Sequence, residues 1–125
     1  MNKNLILKKL DSFKEELDFD KVIILSGASL VLQGVINETH DIDLSCDVDF
    51  YNSIDWPIKN GAFNIEIKSK DCFDISYNLY YPNDIVIING YKCMNLKKCL
   101  EIKKGLNRKK DQMIINRLES IIKKQ

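Results

Sequence analysis

Leu5, Ile6, Leu10, Phe13 and Leu17 recur at the spacing of one helix face, which predicts an amphipathic helix over residues 4–18. Residues 22–25 are a continuous, largely β-branched run and read as a short buried strand. Ser26-Gly27-Ala28-Ser29 breaks that run, and Leu30, Val31, Leu32 and Val35 then predict a short helix from about residue 28 that ends near Gly34. From 41 to 50 polar and apolar positions alternate strictly. Asp41, Asp43, Ser45, Asp47 and Asp49 fall on one face, and Ile42, Leu44, Cys46, Val48 and Phe50 on the other. Period two predicts one long strand, with room for a bend midway.

Turn chemistry follows at Asp55-Trp56-Pro57 and Asn60-Gly61. Residues 63–68 alternate again, with Phe63, Ile65 and Ile67 on one face, and 72–77 form a further strand candidate. After a turn at 81–84, Asn89-Gly90 between the apolar runs 85–88 and 91–94 predicts a hairpin. From Asn95 the period becomes helical. Leu96, Cys99, Leu100 and Ile102 mark one helix with Gly105 as its stop, and Asn107 is placed to cap a last helix running to about Ile122. No internal repeat or long linker divides the chain. The expectation is a single α/β domain of the α+β kind over residues 1–125, a mixed sheet with helices packed on it and two helices at its C-terminal end.

Composition narrows the function classes. Lys+Arg 19 against Asp+Glu 18 leaves a net charge of +1, which argues against a basic nucleic-acid coat, so no DNA partner is expected. No apolar run approaches the roughly 20 residues of a membrane span, and the first ten residues lack a signal-peptide core, so a cytoplasmic protein without a membrane partner is expected. Cys46, Cys72, Cys93 and Cys99 form no C-x-x-C pair and, with a single His, make a poor zinc set; free thiols are the simplest reading.

The candidate chemistry sits in two places. Asp41 and Asp43 are two apart on a strand, so their carboxylates share a face, about 6.5 Å apart along the chain. Crowded carboxylates repel, and a divalent cation relieves the repulsion; Mg²⁺ takes one or two carboxylates with water and phosphate oxygens. The plain alternative is a solvated sheet face. Upstream, Gly27 allows close backbone approach in a strand-to-helix turn, and Ser26 and Ser29 bring hydroxyls that either meet an anion or merely cap the helix. A phosphate cradle beside a D-x-D pair would make a pocket for a nucleoside triphosphate with Mg²⁺.

Residues 24–34, Ile-Leu-Ser-Gly-Ala-Ser-Leu-Val-Leu-Gln-Gly, followed by Thr39-His40-Asp41-Ile42-Asp43-Leu44, resemble the signature of the polymerase-beta-like nucleotidyltransferase superfamily. Leu100-Glu101-Ile102-Lys103 with Arg108-Lys109-Lys110-Asp111 is similar to the C-terminal helix pair of its small bacterial members. These include stand-alone minimal nucleotidyltransferases and toxin components of abortive-infection systems. The resemblance implies a nucleotidyltransferase fold, two Mg²⁺ ions held by Asp41 and Asp43, and phosphates met by Gly27 and Ser29, with Ser26 in the same turn. Ala28 stands where many relatives have Gly. A third carboxylate is expected on a later strand, where Asp74 is preferred over Glu66. Lys103 would face the triphosphate or lie exposed on its helix. Arg108 and Asp111 read first as an i,i+3 salt bridge.

The implied reaction moves a nucleoside monophosphate from an NTP to a hydroxyl on a protein partner or an RNA. The alternative is an inactive nucleotidyltransferase fold serving as a binding or regulatory subunit. Trp56, Tyr77, Tyr80 and Tyr81 are candidate base-stacking residues with a core or rim role as the simpler reading. The lysines and arginine between Lys97 and Lys110 form a basic stretch that either meets RNA or is simply solvated.

Overall fold

The computed structural model describes residues 1–125. Five α-helices and seven strands follow one another along the chain. They are α1 (Lys3–Ser12), β1 (Ile23–Ile24), α2 (Ser26–Leu32), β2 (Ile42–Ser45), α3 (Val48–Ser53), β3 (Ile58–Asn60), β4 (Glu66–Lys70), β5 (Phe73–Ser76), β6 (Ile85–Ile88), β7 (Tyr91–Met94), α4 (Leu96–Leu106) and α5 (Gln112–Lys123). The strands make one mixed sheet in the order β3-β4-β5-β2-β1-β7-β6, with β2–β5 and β1–β7 parallel and the other pairs antiparallel. No helix is long and apolar enough to cross a membrane.

Alternation along the strands divides the apolar side chains between two cores. Ile24, Ile42, Leu44, Phe73, Ile75 and Cys93 face one way and pack with Ile6 and Leu10 of α1, Ala28, Val31 and Leu32 of α2, and Tyr51 of α3. Ile23 and Met94, one residue out of phase on β1 and β7, face the other way and meet Cys99 of α4 and Leu118 of α5. The helical pair therefore covers the β1–β7–β6 side of the second face. The β2–β5–β4–β3 side of that face carries Asp43, Asp74, Ser69 and Lys59 instead.

Several boundaries differ from the sequence expectation. The first helix ends at Ser12, whose hydroxyl donates back to the Lys9 carbonyl at 2.7 Å, although Phe13 and Leu17 beyond it stay buried in the following turns. The long strand expected over 41–50 is only β2; Asp47 accepts from the Phe50 N–H at 2.7 Å and caps α3. Tyr51 and Ile54 then bury at helical spacing, so the alternation beyond residue 46 does not mark a strand. The helix expected to stop at Gly105 runs on to Leu106, and Asn107 is its left-handed terminus (φ 50°) rather than the cap of α5. The Asn89-Gly90 hairpin forms as expected, with φ of 52° and 86° at its two turn residues.

Candidate active site

The uncovered half of the sheet's second face forms the floor of a cleft of about 500 Å³, within the usual size of a small-molecule site. Parallel register sets Asp43 of β2 directly beside Asp74 of β5, and antiparallel register sets Ser69 of β4 on the other side of Asp74. Cross-strand neighbours project to the same face, so these three side chains meet. The Ser69 hydroxyl donates to Asp74 Oδ1, and Lys59 of β3 reaches the same oxygen at 3.5 Å. The lysine is more than half exposed, so water screens this pair.

Asp43 is solvent-accessible at the cleft surface yet recessed among protein atoms. Desolvation, reinforced by the charge of Asp74 and then of Asp41, pushes its carboxyl up to about 6 from an ordinary 3.8, with Lys59 opposing. Asp41 lies one residue before β2, is exposed, and is absent from the cleft lining. The D-x-D pair thus enters unequally. The structure brings Asp43 together with Asp74, while Asp41 acts from outside, and no three carboxylate, imidazole or thiol groups converge on one point. Glu66, the other candidate for a later carboxylate, alternates onto the opposite face, where its carboxylate accepts from the Tyr51 hydroxyl at 2.8 Å.

The cationic lining comes from the C-terminal helices. Lys103 of α4 and Arg108, just after it, both border the cleft. Between them lies Asp111, only 4% exposed, with Oδ1 accepting from Lys103 Nζ at 3.1 Å and Oδ2 from Arg108 Nε at 2.6 Å. Burial alone would raise the Asp111 carboxyl; the two hydrogen bonds and the two positive charges outweigh it and hold the group below the ordinary carboxylate value. Lys103 is therefore not an exposed helix lysine: it is buried and held in place. The Arg108–Asp111 pair forms as expected, but across a 3₁₀ turn (Lys109–Asp111) rather than within a regular α-helix.

The glycine turn divides as well. Ser26 and Gly27, in the first turn of α2, line the cleft, and α2 has no side-chain cap there because Leu25 precedes it. A Cβ on Gly27 would stand 2.9 Å from Thr39 Oγ1, so a larger residue here would require the Thr39 side chain to shift. Ser29 is a correction. It is fully buried, its hydroxyl donates to the Met94 carbonyl at 2.7 Å and accepts from Gln33 Nε2 at 2.8 Å, and so it is unavailable to a phosphate.

The aromatic expectations also change. Trp56 is a core residue against Phe13 and Phe73, and none of Trp56, Tyr77, Tyr80 or Tyr81 borders the cleft. The aromatic that does is Phe63, which the alternation over residues 63–68 places on a strand face but which lies in a 3₁₀ turn before β4. The basic stretch is parcelled out. Lys98 pairs with Glu101 and sits over the Tyr81 ring, Lys104 lies near Glu119, and Lys103 is turned into the cleft wall. Lys59 and Asn78 join the cleft, and Ser69 backs Asp74 from β4, without any local signal in the sequence, since only register and chain reversal bring them there. No family model matches the chain, and no curated protein or solved structure matches it, so the chemistry of the site rests on these residues.

Proposed function

We propose that the chain is a Mg²⁺-dependent nucleotidyltransferase that moves a nucleoside monophosphate from an NTP to a hydroxyl acceptor. One observation carries the reading: Asp43 and Asp74 stand in register on a cleft floor that is bordered by Lys103 and Arg108. Carboxylates on one side and cations in the same recess suit a polyphosphate–metal pair, which needs both signs of charge. The donor set fits the ion. Its atoms are carboxylate and hydroxyl oxygens, and the mutual repulsion that raises Asp43 is what a divalent cation removes. Asp43 and Asp74 would hold it, with Asp41, whose charge also reaches Asp43, as a further carboxylate for a second ion. When bound, Mg²⁺ neutralises phosphate charge and activates the acceptor hydroxyl.

The chain's own groups do the rest. Asp111 keeps Lys103 and Arg108 ordered for the phosphates, and the backbone of Ser26 and Gly27 borders the same space. The Ser69 hydroxyl orients Asp74, and the solvent-screened Lys59 ammonium lies beside the same oxygen. The acceptor oxygen bonds to the α-phosphorus as the α–β bridging bond breaks, pyrophosphate leaves with that electron pair, and the hydroxyl proton passes to base or water. The resemblance to toxin components points to a protein partner or an RNA as acceptor.

A second reading, a nucleotide-binding regulatory subunit without transfer, is favoured by the position of Asp41 outside the cleft. Calorimetry with ATP, GTP, CTP and UTP, with and without Mg²⁺, tests binding. Incubation with each α-labelled NTP, Mg²⁺ and cell extract tests transfer. Metal-dependent binding with label on protein or RNA supports the enzyme; metal-dependent binding without label supports the subunit; no binding rejects both.

A further inference from the structure

We infer that Phe63 is the platform on which the base of the nucleotide stacks. The inference rests on the nucleotide reading of the cleft and goes beyond it, since that reading concerns only phosphates and metal. The loop between β3 and β4 is tied at its base by Gly61 N–H to the Ile65 carbonyl (2.7 Å) and Ile65 N–H to the Ala62 carbonyl (3.2 Å). At its tip Phe63 and Asn64 both lie in the left-handed region, with φ of 59° and 58°. That conformation is rare for a bulky residue without a compensating role. Phe63 is 69% exposed, the most exposed aromatic among the large hydrophobics, and it borders the cleft. Ile65, Leu79, Ile102 and Leu106 extend an apolar lining beside it in the same cleft that holds Asp43 and Lys103. A ligand with a charged end and a flat apolar end matches that division, and base–aromatic stacking is tolerant of base identity.

The test compares ATP with inorganic tripolyphosphate, both with Mg²⁺, by calorimetry on the full chain. Phe63→Gly relieves the left-handed strain and removes the ring; Phe63→Trp keeps a stacking face. Wild type is expected to bind ATP more tightly than tripolyphosphate. Phe63→Gly is expected to melt no lower than wild type, to bind tripolyphosphate unchanged, and to weaken for ATP by roughly 5- to 100-fold. Phe63→Trp is expected to keep ATP affinity, with its indole emission altered by ATP.

Equal affinity of wild type for the two ligands, or full ATP affinity in Phe63→Gly, overturns the stacking role and leaves the phosphate site standing. An equal loss of both ligands in Phe63→Gly also overturns it, because the loop would then act on the phosphates. Binding of neither ligand by wild type rejects the nucleotide reading, and the platform with it.

Discussion

Asp43 and Asp74 occupy the same rung of two parallel strands, β2 and β5, so the Asp74 charge adds to desolvation in raising the Asp43 carboxyl. Asp74→Asn removes one negative charge and should lower the Asp43 carboxyl from about 6 toward 3.8, and Mg²⁺ should shift it the same way. Carbon-detected NMR titration of the Asp43 carboxyl measures this. An unchanged value in the variant would show that the two groups do not interact.

The same shift sets a sign for stability. Between roughly pH 4 and 6 the folded chain keeps a proton on Asp43 that the unfolded chain has released, so this group's contribution falls as pH rises through that window. Solvent at the cleft makes the effect smaller than a fully buried acid would give. Asp43→Asn should therefore melt at or above the wild-type temperature at pH 7, while transfer falls on the order of 10²- to 10³-fold or more. A variant that unfolds would make Asp43 structural instead.

Asp111→Asn should leave Lys103 buried without its counter-charge and lose about 3 kcal/mol of stability, read by urea denaturation. In wild type the depressed Asp111 pKa implies stability that is present above the ordinary carboxylate range and lost as pH falls through the folded value. The acid limb of the stability–pH curve should accordingly be shallower in the variant.

Ser29→Ala should lose about 1 kcal/mol, the worth of a buried hydrogen bond, because the Met94 carbonyl still keeps the Gln33 amide at 3.0 Å. Nucleotide affinity should not change. Selective loss of Mg²⁺–ATP binding, measured by calorimetry, would return Ser29 to the phosphate site.

Lys68 is an anchor on the sheet's other face: its Nζ donates to the Tyr51 carbonyl at 2.8 Å and the Ile54 carbonyl at 2.6 Å, and lies 4.5 Å from the centre of the Tyr51 ring. Lys68→Met keeps the stem and removes the donor. It should lose about 2–3 kcal/mol in urea denaturation by stranding the two carbonyls that close α3.

Local signals made the strands of the sheet legible wherever alternation and turn chemistry agreed, as in the β6–β7 hairpin. They also marked Asp43, a polar residue between buried apolar neighbours, but alternation offered Glu66 as well as Asp74, and only the family resemblance favoured Asp74. They misled at residues 47–50, where a capping aspartate outweighed the alternation and started α3. The fate of Ser29 hinged on a carbonyl 65 residues away, and the burial of Lys103 on an acid that the chain brings back only after α4 ends. The role of Phe63 was hidden for a related reason: it lies between strands, in a loop whose shape follows from two successive left-handed residues. Contacts made by chain reversal leave no mark on neighbouring sequence.

The C-terminal helical pair shelters one half of a sheet face and leaves the other half bare. The exposed polar side chains of that bare half are largely separate from the two cores, with the buried Lys103–Asp111 pair serving both. Polar residues on the bare half can be exchanged with little effect on the cores, so the same scaffold is free to acquire a different ligand by substitution on one small patch.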